Sequence, residues 1–511
     1  MIHELIGENF AVFFKEVHGY PPFPWQTRLA RKLAQESTWP EVLELPTGSG
    51  KTAALDVAVF HLALEAVRGP ARRAPIRIAM VVDRRLVVDD AFARAEKIAK
   101  ALAKPTGTVT AEVARRLKLL AGEDAAPLVA RRLRGGIPRE DDWARTPSQP
   151  TILCSTVDQV GSRLLFRGYG VSDSMKPVHA GIFGSDCLIL LDEAHLSEPF
   201  RQTLGWVKRY KGNSWRESKD AIAPWGLSLL TATPGKEVDV PFGLDDEDYA
   251  NSILRARWGA SKPALLIELG KPKQDKDAAN DDEEAAEPDK VADKQRIDEF
   301  VKQAVKGLEA LKERGLDHPP VLAVVVNRVA RARGIFEELR KRPDAEEIES
   351  ILMIGPSRSI ERNELAKRLY PIKTGNPRNP EKPLLIVSTQ CIEAGVDIDL
   401  DGLITEAAPL DALRQRFGRL NRAGRKISPY AAIIGSGGKA DAKDPVYGDA
   451  IVKTWNYLKE HADKPATKKE LPKVDFGLAA LEEHLKKHPF SQLYLHLFRR
   501  FFFQYHRPSL R

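Results

Sequence analysis

Asp192 and Glu193 follow the apolar stretch CLILL at residues 187–191, and His195 stands two positions further on. At the carboxyl edge of a parallel sheet, such a pair can do phosphate chemistry. One carboxylate completes the shell of a hydrated Mg²⁺, and the other orients and deprotonates an attacking water. An acid pair that merely caps the next helix reads the same in isolation. The companion that separates the two is LPTGSGKT at residues 45–52. Thr47, Gly48, Ser49 and Gly50 let backbone N–H groups close around a triphosphate, with the positive end of a helix behind them. Lys51 would reach the β- and γ-phosphates, and Thr52 would join Asp192 at Mg²⁺. The loop departs from the usual spacing once, because Leu45 stands where a first glycine is common. Upstream, Gln26 carries a carboxamide able to pair with both hydrogen-bonding positions on an adenine edge.

A second constellation lies far along the chain. LRQRFGRLNRAGR, residues 413–425, holds Arg414, Arg416, Arg419, Arg422 and Arg425 and no acid. A solvated basic helix would interleave acids, whereas arginines delivered across a cleft neutralise charge on a transferred phosphoryl group. Arg419 and Arg422 are the expected fingers, with Gln415 facing His195. His195 reads as a coupling residue, not as a metal ligand. In VSTQCIEAGVDID, residues 387–399, Asp397 suits an arginine or a ribose and Thr389 suits a backbone phosphate. Cys391 reads as a small core residue. TAT at 231–233 closes another apolar run, and Thr231 and Thr233 would couple the nucleotide to a nucleic-acid groove.

These residues need rigid strand ends to hold them. Continuous apolar runs at 41–45, 76–82, 151–156, 187–192 and 226–233 alternate with helix-like stretches, and 321–326, 383–389 and 430–437 repeat the style. That alternation predicts parallel sheets covered on both faces, an α/β protein. Between the two sets, residues 271–294 carry nine acids and five lysines with only alanines and one valine for apolar content. Such a stretch cannot bury enough surface to order itself. The expected division is a first lobe over 1–250, a linker with an acidic mobile segment over 251–298, a second lobe over 299–437, and a helical extension over 438–511. Residues 100–136 read as a helical insertion with a solvated face.

The 511 residues carry a net charge of +8, a weak pointer to a polyanionic partner. Three scattered cysteines exclude a disulfide framework and a zinc ribbon. The first twenty residues interrupt their apolar stretch with acids and a lysine, unlike a signal peptide. No run approaches the ~18 apolar residues of a membrane span. The expectation is a cytoplasmic protein.

Gln26, PTGSGKT, DEAH at 192–195, TAT, VSTQCIEAGVDID and QRFGRLNR resemble, in that order, the motifs of superfamily 2 helicases of the DEAH/DExH kind. The resemblance implies two RecA-like parallel-sheet domains in tandem, with ATP and Mg²⁺ between them. VVDRRLVVDDAF at 81–92, the stretch 133–172 and LLDEAHLSEPF at 190–200 are similar to the helicase portion of the type I CRISPR-associated helicase–nuclease. That family implies an ATP-driven motor drawing single-stranded DNA 3′-to-5′ after an RNA-guided surveillance complex opens the duplex. It also implies a metal-dependent HD nuclease domain. None of the eleven histidines here is followed by aspartate. The expectation is therefore helicase without intrinsic cutting, the variant kind lacking a leading nuclease, with the nuclease a separate subunit or a domain beyond residue 511.

On the strand path the resemblance implies contacts blind to base sequence, made by amides, hydroxyls and cations. Candidates are Arg84, Arg85, Thr156, Gln159, Asn327, Arg328 and Thr389. The motifs do not distinguish DNA from RNA, so a helicase of RNA remodelling or of a restriction system is an alternative. A catalytically silent binding scaffold is a third reading, opposed by the retained Lys51, Asp192, Glu193 and arginines.

Overall fold

The computed structural model describes residues 4–83, 85–135, 142–194, 197–215, 224–231, 241–270, 288–355, most of 364–393, 397–436, 444–463 and 470–481, with isolated positions besides. The chain divides into two compact units, Met1–Leu254 and Arg255–Arg511.

The first unit is built on a seven-stranded sheet in the order β3-β4-β2-β5-β6-β1-β7. Its strands are β1 Val42–Glu44, β2 Arg77–Val82, β3 Val129–Leu133, β4 Thr151–Thr156, β5 Cys187–Asp192, β6 Trp225–Thr231 and β7 Phe242–Gly243. Every pair among them is parallel. β2, β4 and β5 are buried nearly throughout, as expected of strands with helices on both faces. Helix Ala54–Ala66 is buried almost all round, which explains its run of apolar residues without a polar face. The rings of Phe10, Phe13 and Phe60 meet at 5.5 to 6.4 Å, seating the N-terminal helix Phe10–His18 on it.

The second unit carries another seven-stranded sheet, ordered β10-β11-β9-β12-β13-β8-β14. The strands are β8 Pro263–Glu268, β9 Val321–Val325, β10 Glu349–Met353, β11 Leu384–Ser388, β12 Gly402–Glu406, β13 Tyr430–Gly435 and β14 Lys473–Asp475. All pairs are parallel except β14 on β8. The α/β expectation of two parallel-sheet domains in tandem therefore holds.

The sheets also draw on stretches read as something else. β8 comes from the stretch expected to be linker and pairs with β13. Helix Pro288–Glu313 begins inside the acidic segment, and its Asp293 accepts from Arg331 Nε at 2.8 Å. The acids there are not all solvated, because a buried arginine supplies the partner that composition cannot reveal. Helix Ala450–His461 lies in the predicted helical extension, but the same extension returns β14 to the sheet edge. Residues 271–287 lie outside the described residues.

Candidate functional site

In the first unit, β1 and β5 deliver the two halves of the candidate nucleotide site to the carboxyl end of the sheet. β1 ends at Glu44, and Leu45 N donates to Thr231 O at 2.9 Å, extending the pairing with β6 by one residue. Leu45 is fully buried in the core. The position that departs from the usual glycine thus stays bonded to β6 one residue past β1, and the turn begins after it. Gly48 and Gly50 hold φ of +87° and +79°, the left-handed region that glycine enters without penalty. A Cβ on Gly50 would lie 3.1 Å from Gln26 Nε2 and 3.3 Å from the Phe23 ring. The loop then enters the 3-10 turn Lys51–Ala53 and the long helix.

Behind the loop, helix Pro24–Glu36 fixes its shape. Trp25 Nε1 donates to Ser49 O at 2.9 Å, and the Ser49 hydroxyl donates to Pro46 O at 2.7 Å. Gln26 is buried, its Oε1 accepting from Phe23 N at 3.0 Å and its Nε2 donating to Gly50 O at 3.4 Å. The carboxamide expected at an adenine edge therefore also ties the helix start to the phosphate loop. Asp248 completes the frame, accepting from Trp25 N at 2.8 Å and from Arg28 Nη2 at 2.9 Å. Sequence reasoning missed Trp25 and Asp248, since neither spacing nor residue type announces a partner more than 200 positions away.

Lys51 is only 9% exposed and donates to Glu193 Oε1 at 2.8 Å, while Asp192 Oδ1 lies 3.9 Å from the same ammonium. Glu193 sits at φ +48°, and its backbone N–H is satisfied by Asp192 Oδ1 at 3.0 Å. A left-handed non-glycine residue costs about 1 kcal/mol or more, and such strain collects at functional sites. The effect here is to turn the Glu193 carboxylate back towards the loop, not along the strand direction. Thr231, at the end of β6, is buried beside β1. His195 and Thr233 lie outside the described residues, as does Arg84, and of Arg85 only its place at the start of helix Arg85–Ala103 is described. Thr156 ends β4 and precedes helix Val157–Leu164, in which Gln159 Oε1 accepts from Arg163 Nη1 at 2.6 Å.

The donor set fits a magnesium nucleotide. Left-handed glycines leave a cradle that no Cβ narrows, an ammonium is already held by carboxylates where phosphate charge would replace them, and the hydroxyl of Thr52 and the Asp192 carboxylate are oxygen donors of the kind Mg²⁺ prefers.

In the second unit, the arginine segment runs through helix Leu410–Phe417 and the turn after it. Arg416 is wholly buried and donates to Glu393 Oε1 at 2.9 Å, Thr405 Oγ1 at 2.7 Å, Glu406 O at 3.0 Å and Asn327 Oδ1 at 3.0 Å. Burial alone would lower its pKa, but the Glu393 carboxylate raises it, so the guanidinium stays charged. Arg419 is buried too, donating from Nε to Ile392 O at 3.1 Å and from Nη2 to Glu393 O at 2.7 Å. Arg422 pairs with Asp397 at 3.0 Å, the carboxylate that the sequence assigned to an arginine or a ribose. Arg422 N also donates to Asp399 Oδ1 at 2.6 Å. Arg425 forks onto Asp399 Oδ2 and Asp401 Oδ1, each at 2.7 Å. Gln415 lies half-buried on the same helix.

The nucleic-acid candidates of this unit separate by burial. Asn327 is buried, donating from Nδ2 to Ala407 O at 2.9 Å while holding Arg416, so its amide serves the interior. Arg328 remains partly exposed beside Asp444 at 3.6 Å. Thr389 is buried, with its hydroxyl 3.4 Å from Cys391 Sγ.

Two parallel-sheet units in tandem, the first opening on a glycine-turned loop and the second carrying an arginine segment, make a tandem RecA-like α/β fold. The chain resembles, more narrowly, the Cas3-type helicases. A family model described as CRISPR-associated nuclease/helicase Cas3, C-terminal, matches residues 319–425. The CRISPR-associated helicase Cas3 of Thermoproteus tenax is 27% identical over 180 residues, 33% of this chain and 30% of that protein. The crystal structure of T. fusca Cas3-ATP aligns with TM-score 0.57 at 18% identity, covering 97% of this chain and 55% of that one. The DEAD-box helicase Mss116 bound to single-stranded RNA and UDP-BeF aligns with TM-score 0.51 at 13% identity, covering 85% of this chain and 74% of that one. The chain thus spans about half the length of the T. fusca protein and less of the T. tenax one. No helix among the described residues is long and apolar enough to cross a membrane.

Proposed function

We propose that this chain is an ATP-dependent single-stranded DNA translocase and helicase of type I CRISPR interference. In this reading it moves 3′-to-5′ and unwinds target DNA for a nuclease supplied by another subunit or domain. The observation that carries the chemistry is the contact of Lys51 with Glu193 and Asp192 at the mouth of a glycine-turned loop. The likeness to Cas3 proteins over residues 319–425 supports the DNA substrate and the RNA-guided partner complex.

Bound Mg²⁺ would be held by Thr52 and Asp192, mostly through water, and would neutralise charge between the terminal phosphates. Lys51 releases its carboxylates and binds the phosphates. Glu193, freed from Lys51, orients a water and takes its proton at the carboxylate. Gln26 reads the adenine edge, and Asp397 holds either Arg422 or the ribose. Arg419 and Arg422 stabilise the developing charge, with Gln415 and His195 relaying the nucleotide state, and Thr231 and Thr233 passing it to the strand path. Backbone contacts of the strand fall to Arg84, Arg85, Gln159 and Arg328, with the buried Thr156, Thr389 and Asn327 shaping the path from beneath.

The test is strand displacement on duplexes with a 3′ or a 5′ single-stranded tail, DNA and RNA in parallel. Unwinding of the 3′-tailed DNA with ATP supports the reading. Unwinding of tailed RNA alone would instead favour RNA remodelling, and no displacement of either would leave a silent scaffold.

A further inference from the structure

The arginine segment is held by residues outside every motif read in the sequence. Lys262, just before β8, is buried, and its Nζ donates to Phe417 O at 2.9 Å. Phe417 is the last residue of its helix, and its carbonyl accepts from Leu420 N at 3.1 Å in the turn that follows, so the Lys262 ammonium is a second donor that pins the helix end where that turn begins. Phe476, 1% exposed and just past β14, stacks on the Phe417 ring with centroids 4.0 Å apart and planes at 12°. The two supports are joined to each other. Phe476 N donates to Lys262 O at 3.1 Å, Asp475 Oδ1 accepts from Lys262 N at 2.7 Å, and Asp475 Oδ2 accepts from Ser261 Oγ at 2.7 Å. The far end of the segment rests on the same approach to β8, where Gly424 at φ +69° leaves 2.4 Å between an added Cβ and the Ala256 backbone.

We infer that Lys262 and Phe476 are positioning residues for phosphoryl transfer: together they set the height of Phe417 and with it the reach of Arg419 and Arg422. The inference rests on the reading of those arginines as phosphate-facing. Its physical content is that Phe417 lies two residues before Arg419, so a shift of one is inherited by the other. A displacement of about 1 Å from a remote change can cost on the order of 100-fold in rate. The C-terminal strand is then part of the motor's active geometry and not only a cover for the sheet edge.

The experiment uses the full chain with Phe476→Ala, Phe476→Tyr and Lys262→Met. Steady-state ATP hydrolysis is measured with saturating oligo-dT, affinity with a fluorescent ATP analogue, and folding by thermal melts. Phe476→Ala and Lys262→Met should lower kcat roughly 10- to 100-fold, with KM for ATP and analogue affinity within about twofold, because the residues proposed to bind the base and phosphates lie in the first unit and Asp397 is not displaced with Phe417. Phe476→Tyr keeps the stacked ring and should retain kcat. A folded Phe476→Ala or Lys262→Met with unchanged kcat overturns the inference. So does a parallel loss of analogue affinity, which marks general damage. If Phe476→Ala does not fold, the contrast between Lys262→Met and Phe476→Tyr decides. An active wild type that Lys51→Ala silences but these variants do not change defeats this inference alone. A wild type without hydrolysis defeats the motor reading and this inference with it.

Discussion

The ammonium of Lys51 donates to Glu193 at 2.8 Å, across 142 residues of sequence. One comes from the loop after β1, the other from the residue after β5, two strands away in the sheet. In this arrangement the residue that would bind phosphate occupies the residue that would activate water. Lys51→Ala should therefore remove nucleotide affinity. Glu193→Gln should preserve affinity and lower stimulated turnover by about 100-fold or more, the size expected when general-base catalysis is lost. ATPase assays with and without single-stranded DNA, together with analogue binding, check both. Robust hydrolysis in either variant would remove the assignment.

Gln26 connects a helix start to the phosphate loop, and its amide is the group expected at the adenine edge. Gln26→Ala should raise KM for ATP by roughly 10-fold, the order of one lost bidentate pair, and narrow the preference for ATP over GTP. Equal KM changes for the two nucleotides would show that the residue acts through the loop alone.

Arg416 and Asn327 are interior residues of the second unit. Arg416→Ala removes the guanidinium that faces the buried Glu393 carboxylate, a change of about 3–5 kcal/mol. Asn327→Ala strands one donor position of Arg416 and should cost about 1–3 kcal/mol. Thermal melts should show both losses, with oligo-dT affinity of folded Asn327→Ala unchanged within about twofold. A selective loss of DNA affinity at unaltered melting temperature would place Asn327 on the strand path after all.

Lys262 has a pKa pushed down to about 8, chiefly by burial, with Arg422 and Arg419 adding and Asp399 and Asp475 opposing. The unfolded chain, at its ordinary 10.5, binds more protons between the two values, so stability rises with pH across that window. The burial penalty is fully present below about pH 8 and amounts to roughly 3 kcal/mol at 1.36 kcal/mol per pH unit. The melting temperature of wild type should rise relative to Lys262→Met between about pH 7.5 and 9.5. A flat difference would show that the lysine keeps its ordinary titration.

The central strands β2, β4, β5, β9, β11 and β13 were legible because they are buried on both faces and carry their pattern locally, whereas β12, central as well, was not, since Gly-Leu-Ile-Thr-Glu holds only two large apolar residues. β3 and β10 were not, since as edge strands they keep arginine, glutamate and serine, which break the pattern. β8 was hidden by its position next to an acidic stretch, and β14 by its three residues. At the site, glycines and the GKT triplet announced the loop, because backbone conformation and phosphate binding restrict residue type at each position.

By itself the sequence determined which residues have the chemistry: a lysine and hydroxyl after left-handed glycines, an acid pair at a strand end, and a crowd of arginines. Only the tertiary structure decided how each is used. It turned Glu193 onto Lys51, placed Arg416 and Asn327 in the interior, and set Lys262 and Phe476 beneath Phe417. The reason is physical: a side chain's type is local, but its burial and partners come from strands that meet only after folding, and those decide whether a charge catalyses or merely holds the fold together.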